Sequence, residues 1–313
     1  MKLLKLFLLM LFSSQLYAQR ITKEDFKFLK KKEDSLKTIG LKIVQGKLPA
    51  ERFKADSTFT RMLVKALVTK NSFYFPFDSI INISKQYAPD STFRILTWQM
   101  VINENIVRQH GAIQMKTADG TLKAFPLIDK SDIVDKPSDT IGNNMGWIGA
   151  VYYKIIMKKF DGHTYYTLLG FDENNIRSDK KIMDILEFVD GKPVFGNKLF
   201  VTNNNPTMSK NMTRFIYEFK KLASPRLSYD ADLDAIVFDE LQSENNTPNR
   251  KWTLVSDGEY EAFKWKNGKW VYTSNAFGNE PPPKKASVPF PIRDANGNVD
   301  PTKIKTEEDQ NPK

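Results

Sequence analysis

The segment Ile155-Ile-Met-Lys-Lys-Phe-Asp-Gly-His-Thr-Tyr-Tyr-Thr-Leu168 decides the fold. Asp161-Gly162 at its centre suits a two-residue type I′ turn, which needs positive φ at both positions and matches the twist of the strands it joins. Counting outward pairs Phe160 with His163, Lys158 with Tyr165 and Ile156 with Thr167 on one face. The other face holds Lys159 with Thr164, Met157 with Tyr166 and Ile155 with Leu168. Such alternation predicts half-buried antiparallel strands.

Four further dipeptides of this kind follow or precede strand-like runs: Asp119-Gly120, Asp190-Gly191, Asp257-Gly258 and Asn267-Gly268. Each predicts a hairpin, and together they predict a meander. Around Asp119-Gly120 the expected pairs are Met115 with Ala124 and Thr117 with Leu122. Around Asp190-Gly191, Phe188 meets Pro193 and Leu186 meets Phe195. Runs 93–98 and 235–241 read as strands, 132–144 as a polar loop, and 215–222 as a short helix or strand.

Upstream the period changes. Phe26, Leu29, Leu36, Ile39 and Ile43 form one apolar stripe among lysines and acids, which predicts a helix from Thr22 to about Val44. Gly46 and Pro49 interrupt it. A second helix is expected over 56–69, capped by Asp56 or Ser57, with Phe59, Met62, Leu63, Ala66 and Leu67 inward.

The two ends read differently. Lys2 and Lys5, the apolar run Leu6–Phe12 and the polar stretch ending at Ala18 form an export signal over 1–18, cut near Ala18. Cleavage leaves 45 basic against 37 acidic residues, a formal +8 down from +10. At the other end, Pro281-Pro282-Pro283 opens a polar stretch, so 279–313 is expected to be a disordered tail. The predicted organisation is therefore a signal peptide (1–18), a helical N-terminal segment (19–70), an antiparallel β-rich domain (71–278) and the tail. The fold class is α+β, two helices followed by a large antiparallel β-meander built as a sandwich or open barrel.

Composition removes whole chemistries. With no cysteine there is no disulfide and no thiolate nucleophile or ligand. His110 and His163 alone cannot build a multi-histidine metal cage. No G-x-S-x-G, H-E-x-x-H or G-x-G-x-x-G is present, so no catalytic residue, metal or cofactor is assigned. The lysine doublets look scattered, which reads as solvated surface rather than a nucleic-acid face. No stretch beyond the leader is apolar and long enough to span a bilayer as a helix.

Some weaker constellations remain. His110 is a candidate base for a Ser-His-Asp set, and Asp172, Glu173, Asp239 and Glu240 are candidates for paired-acid chemistry on a glycan. Asp230, Asp232 and Asp234 imitate the start of a calcium loop, but Ala235 stands where its glycine belongs. The strongest binding candidate is the last hairpin. Pairing outward from Asn267-Gly268 sets Trp265 opposite Trp270 and Phe263 opposite Tyr272, four aromatics on one face. That face either closes the core or, exposed, offers a platform for sugar rings or a partner's side chains.

The segments Pro89-Asp-Ser-Thr-Phe-Arg-Ile-Leu-Thr-Trp98, Tyr165-Tyr-Thr-Leu-Leu-Gly-Phe-Asp-Glu-Asn-Asn175, Gly191-Lys-Pro-Val-Phe-Gly196 and Phe263-Lys-Trp-Lys-Asn-Gly-Lys-Trp270 resemble a family of uncharacterised exported Bacteroidetes proteins. The resemblance covers 70–275, implies an envelope location and carries no catalytic residue. The functional expectation is a non-enzymatic periplasmic or secreted protein that binds a glycan, an envelope protein or another ligand. The alternatives are an envelope hydrolase acting on a glycan or ester, and a structural accessory of an outer-membrane or secretion assembly.

Overall fold

The computed structural model describes residues 21–103, 105–203, 205, 207–277 and, as backbone, 290–293 and 299–305. The expected export signal and most of the expected tail lie outside the described residues.

Helix α1 (Lys23–Gln45) begins where expected: the Thr22 hydroxyl accepts the Asp25 N–H at 3.0 Å, and Glu24 and Asp25 sit at the positive end of the helix dipole. Helix α2 (Pro49–Leu67) does not. It starts at Pro49, whose fixed φ and missing N–H suit a first helical position, while the Glu51 carboxylate accepts the Lys47 and Leu48 N–H groups. Asp56 is thereby placed inside the helix and buried, rather than capping it.

Between residues 84 and 273 the chain then builds three sheets. The first has order β1-β2-β3-β4, from β1 (Ser84–Tyr87), β2 (Phe93–Asn103), β3 (Ile106–Met115) and β4 (Lys123–Ile128). The second contains β5 (Gly142–Asn143), β6 (Val151–Phe160), β7 (His163–Asp172), β8 (Ser178–Val189) and β9 (Lys192–Phe195), in the order β5-β9-β8-β7-β6. β10 (Phe200–Val201) belongs to the third sheet, and β11 (Phe215–Lys220) returns to pair with β8 beside β9. The third is completed by β12 (Leu227–Asp230), β13 (Ala235–Ser243), β14 (Leu254–Lys266) and β15 (Lys269–Thr273), order β10-β15-β14-β13-β12. Among the described residues all strand pairs are antiparallel except β10 with β15. The sheets are open, which settles the barrel alternative in favour of stacked layers.

Residue parity along β2 explains the stacking. Leu96, Trp98 and Met100 face the helices and pack with Leu29, Leu36, Ile43, Phe59 and Leu63. Phe93 and Ile95 point the other way, onto Ile155, Leu168, Ile182 and Leu186 of the second sheet. The opposite face of that sheet, with Ile156, Leu169, Met183 and Ile185, packs on Phe238, Phe263 and Trp270 of the third. The second sheet is therefore covered on both sides. This corrects the half-buried reading of the 155–168 hairpin: Tyr166 to Gly170 is one continuously buried run, the pattern of a strand with no wet face.

Of the five turn dipeptides, three form the expected hairpins. Asp161-Gly162, Asp190-Gly191 and Asn267-Gly268 have positive φ at both residues, and the Phe160–His163, Leu186–Phe195 and Trp265–Trp270 pairs form as counted. Asp119-Gly120 differs by one residue: Met115 pairs with Lys123 instead of Ala124. Here the Asp119 carboxylate ties back to the Thr121 N–H and hydroxyl, so only Gly120 takes positive φ in a longer loop. Asp257-Gly258 is not a turn at all. It bulges inside β14, where Asp239 pairs with Tyr260 but Leu241 with Ser256.

Residues 275–313 form a separate unit, in which β16 (Phe290–Arg293) pairs with β17 (Val299–Lys305). Part of the expected disordered tail is thus paired strand.

Candidate functional site

The aromatic hairpin closes the core. Phe263 and Trp270 are fully buried, Tyr272 is 5% exposed, and Trp265 is half-buried against Tyr165 and the edge of Trp270. Trp270 is held three ways: its indole N–H donates to Thr167 Oγ1 at 2.9 Å, its backbone N–H to Leu199 at 2.7 Å, and Lys158 lies over its ring. Tethering of this kind removes the exposed platform. The second sheet covers the face because its own aliphatic side needs a partner.

One end of that same layer stays open. A cleft of about 820 Å³ lies where β11, β13, β14 and β15 meet the 205–212 loop and the 248–254 segment. Its floor is Phe215, Tyr217, Phe238 and Tyr272, with Met208 and Met212 from the loop. Its charged groups are Glu218, Glu240, Glu261, Lys180 and Lys251. The strand period explains this composition: Glu261 is two residues before Phe263 and opposite Phe238, so it continues their inward face to the cleft. Glu240 sits at the break in the β13–β14 register between Asp239 and Leu241 and is exposed at the cleft's edge.

The cleft's chemistry is set by burial. The Tyr272 hydroxyl donates to Glu261 Oε1. Burial, with Glu240 and Asp257 nearby, pushes the Glu261 carboxyl above its usual range, although the Tyr272 bond opposes this. Burial, the bond to Glu261 and its charge raise the Tyr272 phenol in turn. Glu218 accepts the Ser178 hydroxyl at 2.5 Å, and Lys180 donates to Asn174 at 2.7 Å. Tyr217 is anchored by its hydroxyl to the Asp239 carbonyl.

The other sequence candidates fall into structural roles. His110 Nδ1 meets Asp56 Oδ1 at 2.9 Å, and the same oxygen accepts the Trp98 indole N–H at 2.8 Å, so these residues pin α2 to the first sheet. Asp172 is buried beneath Gln109, whose Nε2 donates to it at 2.6 Å, while Glu173 receives Gln99. Of the four acids only Glu240 lines the cleft. Asp230 accepts the Asp232 and Leu233 N–H groups and Asp234 pairs with Lys158, which makes their loop a plain strand turn. His163 flanks its turn, exposed, and stacks on Tyr165.

The sequence points to Tyr272 and Glu240 but not to Tyr217, Glu218 and Glu261, which come together only through sheet packing. The one available signal was the acid two residues before Phe263. Comparison with protein-family models, curated proteins and solved structures gave no match.

Proposed function

We propose that this chain is an exported, non-enzymatic binding protein of the cell envelope, with the 820 Å³ cleft as its ligand seat and an oligosaccharide as ligand. The observation that carries this reading is the cleft's division of labour. An apolar floor supplies the contact area, and carboxylates at its edge accept hydrogen bonds from hydroxyls. The export signal over 1–18 and the family resemblance support the location.

Titration calorimetry with soluble peptidoglycan and polysaccharide fragments tests it. A fragment should bind, and Glu240→Gln should weaken it about tenfold, as expected for losing a charge-assisted hydrogen bond, with the melting temperature unchanged. Absence of binding by every fragment, or equal binding by the variant, refutes the site. The raised Glu261 carboxyl beside Glu240 favours one second reading, a glycan hydrolase using Glu261 as general acid. Release of new reducing ends during the same titrations decides for it.

A further inference from the structure

The net charge is segregated by fold layer. Residues 21–70 hold 13 Lys and Arg against 6 Asp and Glu, a net +7. Residues 71–313 hold 31 of each and are neutral. The lysines that look scattered along the sequence therefore amount to one basic helical hairpin on a neutral β body.

The outer face of that hairpin is also apolar. Phe59, Leu63 and Ala66 of α2 are buried. On the side facing away from them the helix presents Lys54, Arg61 and Lys65 interleaved with Phe53, Val64 and Val68, which are 45%, 50% and 62% exposed. An ordinary solvated helix face has charges without such side chains. Between the helices at their connected end lies a hollow of about 710 Å³, floored by Ile39, Leu41 and Ala55 and edged by Lys42, Lys47 and Lys54, with Glu51 as its one acid.

We infer that the outer face of the α1–α2 hairpin docks on an anionic lipid bilayer, lysines and arginines meeting headgroups and Phe53, Val64 and Val68 entering the interface. Charge complementarity selects the anionic partner, and the exposed apolar side chains select a bilayer over a soluble polyanion. The inference stands apart from the cleft, so a protein without an oligosaccharide ligand can still bind membranes.

The test is sedimentation with phosphatidylglycerol and phosphatidylcholine vesicles, using exported protein whose N-terminus is fixed by mass so that a retained leader is recognised. Wild type should bind the anionic vesicles at low salt, release in molar salt and ignore the neutral ones. Each basic residue near the surface contributes about fivefold, so Lys42→Glu with Lys54→Glu and Arg61→Glu, which remove three positive charges and add three negative ones, should cut binding at least about a hundredfold. Reversing the exposed Lys192, Lys198 and Lys266 on the β body should leave binding within about twofold. Phe53→Ser with Val64→Ser should weaken vesicle binding while leaving retention on heparin intact. Equal binding to neutral vesicles, equal loss from both reversals, or indifference to the Phe53 and Val64 changes overturns the proposal. Because wild-type salt release is read independently, a misfolded variant cannot hide a failure.

Discussion

Replacing Asp184 by asparagine tests the packing argument at its most sensitive point. Asp184 and Arg214 are 0% and 1% exposed, with Arg214 Nε 3.1 Å from Asp184 Oδ2. The pair joins β8 to the 137–140 segment, because Arg214 Nη1 also donates to the Pro137 and Thr140 carbonyls. Burial holds the Asp184 carboxyl above its usual range even with the guanidinium beside it. Desolvation thus outweighs attraction, which is the expected balance for two charges taken out of water. Asp184→Asn leaves a buried cation without its counter-charge, at a cost of about 3–5 kcal/mol. For a unit of this size that is a fall in melting temperature of roughly 6–20 °C. Arg214→Met should cost a similar amount by stranding the acid. The double variant Asp184→Asn with Arg214→Met removes both charges, so it should lose clearly less than the two single losses added together. Scanning calorimetry of all four proteins reads the cycle. Single losses below about 1 kcal/mol, or a double loss equal to the sum, would refute the reasoning.

Asp172 makes stability depend on pH. Burial, with Asp129 adding to it and Lys180 opposing, raises its carboxyl to about 6 from an ordinary 3.8. The folded state then holds a proton that the unfolded state has released, so stability falls as pH rises from about 4 to 6. At neutral pH the loss reaches about 3 kcal/mol, and Asp172→Asn should remove that slope in urea titrations across the range. A slope retained in the variant would assign it to another group. In the aromatic hairpin, Trp270→Ala should cost about 3–5 kcal/mol and half-buried Trp265→Ala distinctly less, by thermal melts. Equal losses would contradict the burial difference.

The helices, the strands and three of the five hairpins were legible in the sequence because their causes are local. Hydrophobic period, the Thr22 cap and Asp-Gly or Asn-Gly turn chemistry act within a few residues. The same local logic failed at Asp119-Gly120, where a carboxylate–Thr121 contact lengthens the loop, and at Asp257-Gly258, where strand pairing continues through the dipeptide as a bulge. Pro49 carries both meanings in sequence, a break after α1 and a first position for α2, and the structure uses it as the first helical position. Charge and composition by themselves determined the absence of thiol chemistry and, counted by segment, the basic hairpin on a neutral body.

Only the tertiary structure decided which faces are covered. The Phe263–Trp270 face has the same sequence pattern whether it lies against another sheet or against solvent. Its burial follows from the second sheet's apolar Leu169, Met183 and Ile185 side, which the local pattern of the hairpin does not contain. The cleft arises the same way: Tyr217, Glu240, Glu261 and Tyr272 belong to four strands and converge because β11 crosses back to the second sheet, opposite the third. Side-chain alternation is set within a strand, whereas the partner that removes a face from water is set by chain topology.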